Sequence, residues 1–274
     1  MKGNASLQKF RKFGNAPYKV AVVHGGPGAA GDVAPVARKL GETRGVLEPF
    51  QTATTLDGQI EELRQALKQN ATPPLVLIGH SWGAWLSVLV AVRYPTLVRK
   101  LILVGSGPFE EKYVKSIAEN RLKRLTPQEQ KEFLHLAEML NTATTGDNSV
   151  SLARLGELGE KSDSYDPIDT LEDLPQPDLA GIDAGQIYQG VWPEAARLRA
   201  TGELLKLAAT ITCPVVAIHG DCDPHPAAGV QEPLAANLKD FRMIILEQCG
   251  HTPWQERYAR ERFFELLENE LQSM

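Results

Sequence analysis

The sequence predicts an α/β fold: a mostly parallel sheet with helices on both faces and a helical insertion before the last strands. Three observations carry that expectation. Short apolar runs at residues 19–23, 75–78, 101–104 and 215–219 read as strands buried on both faces. Amphipathic helical stretches alternate with them, as in βαβ units. Between residues 109 and 210 the alternation stops and only helical patterns remain.

Composition narrows the field. A chain of 274 residues suits one large α/β domain, or a core with a sizeable insertion. The net charge of −5 gives no ground for expecting nucleic acid or an anionic membrane as a partner. No run approaches the roughly 18 apolar residues of a membrane span, and residues 1–11 lack the apolar centre of a signal peptide. Cys213, Cys222 and Cys249 are an odd number in a long chain, which points to a reducing, cytoplasmic setting rather than a disulfide scaffold.

After the first strand comes His24-Gly25-Gly26-Pro27-Gly28. Glycines at that density let a backbone pass close to a ligand, or aim amide N–H groups at it. Residues 29–40 read as a helix with Val33, Val36 and Leu40 on one face. The loop is not G-x-G-x-x-G, and no acidic residue is placed for a ribose, so no dinucleotide cofactor is expected. Residues 45–50 are a weak strand signal. Residues 55–70 form an amphipathic helix through Leu56, Ile60, Leu63 and Leu67.

The stretch from Pro74 to Gly83 is the most informative. The strand at 75–78 runs into Gly79-His80-Ser81-Trp82-Gly83, and a helix follows over 82–93. Strand, Gly-x-Ser-x-Gly and helix make a nucleophile elbow. The apex serine is held in a strained conformation, and a Cβ at either flanking glycine would collide with the strand or the helix. The helix N-terminus beneath Ser81 favours developing negative charge.

Beyond the strand at 101–104, helices are expected over 112–124, 126–141, 152–160 and 193–209, with an acidic connector at 163–183. Thr126, Pro127 and Glu129 form a capping box. The strand at 215–219 ends at Gly220. A helix at 230–238, a strand at 242–246, the loop Gln248-Cys249-Gly250-His251 and a final helix at 253–271 complete the chain. The expected division is a core of residues 1–107 and 211–274, interrupted by a helical lid at 108–210.

A serine hydroxyl needs a base. Of the six histidines, His24 and His80 sit in glycine turns, where their backbones are expected to matter more than their rings. His135 lies on a lid helix, His219 ends an apolar strand and reads as buried, and His225 follows that strand. His251 follows the last strand, which places it at the same sheet edge as Ser81. The base in turn needs a carboxylate. Asp221 and Asp223 both follow Gly220, and either could serve. Asp223 is favoured because it lies on the loop proper, whereas Asp221 is better placed to cap the turn. The Trp82 and Gly26 amides are the expected oxyanion donors. Neither a cofactor nor a metal is expected, and the partner is a small-molecule substrate.

Together these residues resemble α/β-hydrolase-fold serine hydrolases over nearly the whole chain. The order Ser81, Asp223, His251 is the order of that fold. His24-Gly25-Gly26-Pro27-Gly28 resembles the HGGPG motif of the proline iminopeptidase branch, and Gly79-His80-Ser81-Trp82-Gly83 its GxSWG elbow. The resemblance implies a cap over the site and hydrolysis of an ester, amide or peptide bond. The chain departs from the branch at two places. Leu47-Glu48-Pro49-Phe50-Gln51-Thr52-Ala53-Thr54 stands where the branch has D-x-R-G-x-G-x-S, and little room is left for opening antiparallel strands. Both departures bear on peptidase activity and leave the serine hydrolase reading intact.

Three functions follow: a serine hydrolase of a small ester or amide, an iminopeptidase-type aminopeptidase, and a non-catalytic binder on the same scaffold. In iminopeptidases lid carboxylates bind the substrate's free amine, which the acidic connector would suit. The acidic residues in and just ahead of it are Glu157, Glu160, Asp163, Asp166, Asp169, Glu172, Asp173, Asp178 and Asp183. Tyr188 and Trp192 are candidates for an apolar pocket, although lid aromatics ordinarily pack against the core. Cys222 and Cys249 are expected beside the Asp223–His251 edge.

Overall fold

The structure, a computed structural model, describes residues 9–142, 149–168, 177, 179 and 181–272. Its sheet has seven strands: β1 (Phe10–Phe13), β2 (Tyr18–Val23), β3 (Gly45–Pro49), β4 (Leu75–His80), β5 (Val98–Val104), β6 (Val215–Gly220) and β7 (Phe241–Leu246). The spatial order is β1-β3-β2-β4-β5-β6-β7, parallel throughout except for β1. The helices are α1 (Ala34–Gly41), α2 (Leu56–Asn70), α3 (Trp82–Arg93), α4 (Val114–Leu122), α5 (Pro127–Thr142), α6 (Ser149–Asp163), α7 (Ala184–Ala200), α8 (Glu203–Ala208), α9 (Ala228–Asn237) and α10 (Arg260–Gln272). This is the α/β-hydrolase fold.

Strand alternation builds two cores. Ala21, Val23, Leu75, Leu77, Leu101, Leu103 and Ala217 face α2 and α3, and α7 and α8 add Ile187, Val191 and Leu204 to that cluster. Val20, Val22, Val76, Ile78, Ile102, Val104 and Ile218 face the other way, against α1 and α10. Leu125, Leu136 and Leu158 make a third, small cluster with Phe133 and Leu155, from α5, α6 and the α4–α5 turn. Helices α4 to α8 all fall between β5 and β6. The capping box forms: the Thr126 amide donates to Glu129 Oε2 (2.9 Å) and the Glu129 amide to Thr126 Oγ1 (3.3 Å).

Several boundaries differ from expectation. An opening antiparallel strand does exist: β1 pairs with β3, setting Arg11 opposite Glu48. Arg11 donates to both oxygens of the buried Glu48 carboxylate (2.6 and 3.0 Å). The departure at residues 47–54 thus begins as a buried strand with its own countercharge. Helix α1 starts at Ala34 rather than at residue 29. The helix expected at 193–209 is α7 and α8, parted at Gly202, whose φ of 74° is a glycine conformation. Pro193 lies inside α7 and does not begin it. A 3-10 turn, Pro253–Gln255, precedes α10, so the final helix starts seven residues later than expected, at Arg260 rather than 253. Among the described residues no helix is long and apolar enough to cross a membrane.

Candidate active site

Ser81 occupies the turn between β4 and α3 with φ 52° and ψ −115°. For a serine this is a strained backbone, costing on the order of 1–3 kcal/mol. The flanking glycines are sterically required: a Cβ on Gly79 would lie 2.3 Å from the Gly83 oxygen, and one on Gly83 would lie 2.4 Å from the Val23 oxygen. The Ser81 amide is held by Val104 O at the end of β5 (2.9 Å).

The glycine loop approaches the same point. A Cβ on Gly25 would sit 3.3 Å from Ser81 Cβ. The Gly25 amide donates to Asp32 Oδ2 (3.2 Å), which leaves it committed. Gly26 has φ 108°. The His24 ring is structural, contrary to expectation: the Gln51 amide donates to Nε2 (3.2 Å), so the ring proton is on Nδ1, which donates to Gly25 O (2.8 Å). Burial pushes this imidazole down from its ordinary value, against the nearby Asp32 charge.

The His80 ring also has work that a backbone role would not predict. Its Nε2 donates to the His251 carbonyl (3.2 Å) and its Nδ1 lies 3.4 Å from Asp32 Oδ2. The ring packs edge-on to Trp254, with centroids 4.7 Å apart, and lies 4.9 Å from the His251 ring. A side chain added at Gly105, next to Val104, would fall 3.1 Å from His251 Nδ1. Ser81 and His251 therefore border the same end of β5.

His251 Nδ1 donates to Asp223 Oδ2 at 2.8 Å. Asp221 stands apart: it is exposed, and its Oδ1 accepts the Cys249 amide (3.1 Å), capping the turn. Burial alone would raise the Asp223 carboxyl. The charges of His251, His219 and His225, with the His225 hydrogen bond, outweigh it and hold the group well below its ordinary value. His219 is buried, as expected, and its Nε2 donates to His225 O (2.7 Å). Asp223, His225 and His251 offer ligand atoms within 4.8 Å of one another. Both ring Nδ1 atoms, however, are hydrogen-bonded to the carboxylate, so a cation there would have to displace both protons.

The inserted helices touch this edge. Ala184, the first residue of α7, lies against Gly28. Trp192 stacks on Trp85 of α3 (5.9 Å) and Tyr188 on Trp192 (5.8 Å), and Tyr188 remains exposed. The acidic connector is less available than its composition suggests. Asp163 is held bidentately by Arg121, Glu157 pairs with Arg154, Asp166 with Arg257, and Asp183 caps α7. Asp169, Glu172, Asp173 and Asp178 lie outside the described residues. A groove between α1 and α10, lined by Arg38, Glu42, Arg260 and Glu265 among others, shares no residue with the Ser81 edge.

Cys222 and Cys249 are neighbours, the Cys222 amide donating to Cys249 O (2.9 Å). Burial pushes both thiols up, Cys249 far more, with the Glu256 charge adding to it. Native protein should therefore react with Ellman's reagent at neutral pH at least about tenfold more slowly than unfolded protein. Peptide mapping should find Cys249 labelled only after denaturation; rapid labelling of native Cys249 would contradict its burial.

A mostly parallel seven-stranded sheet with a strand-turn-helix serine turn is the arrangement of an α/β hydrolase. The chain belongs to the alpha/beta hydrolase family, whose model matches residues 18–266. It is similar to a proline iminopeptidase of Heyndrickxia coagulans, with 24% identity over 93% of this chain and 91% of that protein. It is also similar to a pimeloyl-[acyl-carrier protein] methyl ester esterase of Vibrio vulnificus, with 24% identity over 71% and 70%. A shorter match, 27% identical, reaches ethanol acetyltransferase 1 of Cyberlindnera fabianii over 32% of this chain and only 25% of that protein. Among solved structures, VinJ superposes with a TM-score of 0.69 at 22% identity, over 96% of this chain and 94% of its own. That is a likeness of fold.

Proposed function

We propose that the protein is a serine hydrolase that cleaves a small carboxylic ester or amide through an acyl-enzyme. Ser81 Oγ bonds to the carbonyl carbon as its proton passes to His251 Nε2. Asp223 on Nδ1 fixes the tautomer that leaves Nε2 as base, and stabilises the imidazolium. The Trp82 and Gly26 amides receive the oxyanion. Gly26 is preferred within its loop because the Gly25 amide already serves Asp32. The carbonyl re-forms, the bond to the leaving group breaks, and the alcohol or amine departs with the proton from His251. Water then attacks the acyl-enzyme by the same route, releasing the acid and restoring Ser81. Residues 108–210 act as the lid over this reaction.

The observation that carries this reading is the strained Ser81 backbone at the end of β4, with the His251–Asp223 pair bordering the same end of β5. A strained non-glycine residue at a half-buried turn is the kind of feature that persists for function. The full-length likeness to a proline iminopeptidase favours a second reading, an aminopeptidase. Against it stand the described lid carboxylates, four of which already have partners within the protein. In a side-by-side assay we expect turnover of p-nitrophenyl acetate and none of proline β-naphthylamide. Turnover of the amide in preference to the ester would reverse that order.

A further inference from the structure

Asp223 serves more than His251. Its Oδ2 accepts His251 Nδ1 (2.8 Å) and lies 3.3 Å from His219 Nε2. Its Oδ1 accepts both the amide (2.8 Å) and the Nδ1 proton (2.9 Å) of His225. The His225 ring then lies nearly parallel to the His251 ring, centroids 4.4 Å apart and planes 28° from each other. Two imidazoles thus share one fully buried carboxylate, one on each oxygen. Pro224 and Pro226 flank His225 and restrict the backbone there, while the hydrogen bond to Asp223 Oδ1 orients the ring. His219 holds the same loop from β6 through the His225 carbonyl.

We propose that His225 is a positioning residue for the acid–base pair. It fixes the rotation of the Asp223 carboxylate and, on taking up a proton from solvent at Nε2, draws that carboxylate's charge away from His251. The inference rests on the hydrolase reading for its kinetic consequences, but the coupling of the two rings through Asp223 does not. Neutral His225 donates one hydrogen bond and leaves the carboxylate's charge to His251. Protonated His225 claims that charge and sets a cation against the face of the ring that must itself become cationic in the transition state. Other charged groups reach this pair from the surrounding elements: Asp163 of α6 acts on both rings, and Arg121 of α4 neutralises Asp163 and acts on Asp223. His219 of β6 lies 3.3 Å from Asp223 Oδ2, and the His80 ring at the end of β4 lies 4.9 Å from the His251 ring, both groups that a substitution at His225 leaves in place. His225 is the more accessible of the two imidazoles, with a side chain 13% exposed against 9% for His251 and 0% for Asp223.

The test compares wild type with His225→Asn, whose side-chain amide places a donor where Nδ1 stood but does not titrate, and with His225→Ala. Imidazole 15N shifts of His251, followed against pH, should be biphasic in wild type and follow a single-site curve in His225→Asn. This measurement needs no turnover, and the spectra themselves report the fold. Kinetically, the acid limb of log kcat/KM should approach a slope of about two in wild type and about one in His225→Asn. His225→Ala should lose roughly tenfold in kcat with little change in KM, and His225→Asn should recover most of it. A His251 titration that is the same in wild type and His225→Asn would overturn the proposal. Biphasic titration in a protein that turns over no ester would leave the coupling standing and refute the hydrolase reading instead.

Discussion

Ser81→Ala is expected to reduce ester hydrolysis by about 10⁴-fold or more, to the level of the uncatalysed reaction plus whatever the oxyanion donors and binding still supply. A fluorophosphonate should label wild type at Ser81 and leave the variant unlabelled. The structure also says what this substitution should not do. Ser81 makes no side-chain capping bond to α3, and alanine keeps the same Cβ at the same positive φ. Thermal stability should stay close to that of wild type. Ser81→Gly should go further: a residue that adopts φ 52° freely relieves the strain, so stability should rise by about 1 kcal/mol while activity is lost. Equal rates for Ser81→Ala and wild type would remove the nucleophile from the mechanism. A stabilised but inactive Ser81→Gly would show strain held in place for chemistry.

What could be read from the sequence was what local physics writes into it. The elbow is five residues whose glycines, serine and flanking elements all lie within one βα unit. The central strands are apolar on both faces, so their runs stand out without knowledge of their neighbours. Asp223 and His251 are expected together by a rule, that loops at the ends of parallel strands gather at one edge, and the two side chains do meet at 2.8 Å. The misses share an opposite cause. Strand β1 is four residues, Phe-Arg-Lys-Phe, partly exposed at the sheet edge; only its pairing with β3 and the Arg11–Glu48 contact make it a strand. Pro193 reads as a helix start, yet tertiary packing of Ile187, Val191 and Ala195 carries α7 past it. His225 looks like a loop histidine until its ring is seen stacked on His251, a contact between residues 26 positions apart. For His24 and His80 the sequence suggests only backbone roles, because a glycine-rich turn says nothing about where a ring lands.

Glu256 is the clearest case of a residue whose importance is invisible along the chain, and it carries the second large expectation. Along the chain it is simply one residue of the final helix expected at 253–271. In the fold it is 1% exposed, its Oε1 accepting the amides of Gly250 (2.9 Å) and Tyr165 (2.8 Å) and its Oε2 the amide of Asp166 (2.8 Å). The strap continues on either side: the His251 amide donates to Asp163 O at the end of α6 (2.7 Å), Ile168 to Gln255 O (2.8 Å) and Arg257 to Asp166 O (3.0 Å). One carboxylate therefore ties the inserted helices to the loop that carries His251. Glu256→Gln keeps the volume but not the fit. Its single oxygen can serve Gly250 and Tyr165, which turns its NH₂ toward the Asp166 amide, donor against donor. Losing one buried partner and two charge-assisted bonds should cost about 2–4 kcal/mol and lower Tm by roughly 5–10 °C. Because Gly250 precedes His251, kcat should fall more than KM rises. The comparison is Asp166→Asn, which weakens only the exposed ion pair with Arg257 and leaves the strap's backbone bonds in place. If Glu256→Gln and Asp166→Asn melt together, the buried carboxylate is not what joins the inserted helices to the His251 loop. If Glu256→Gln alone melts early and loses kcat, the position of His251 depends on the inserted helices, and substrate contacts made there can reach the base through Glu256.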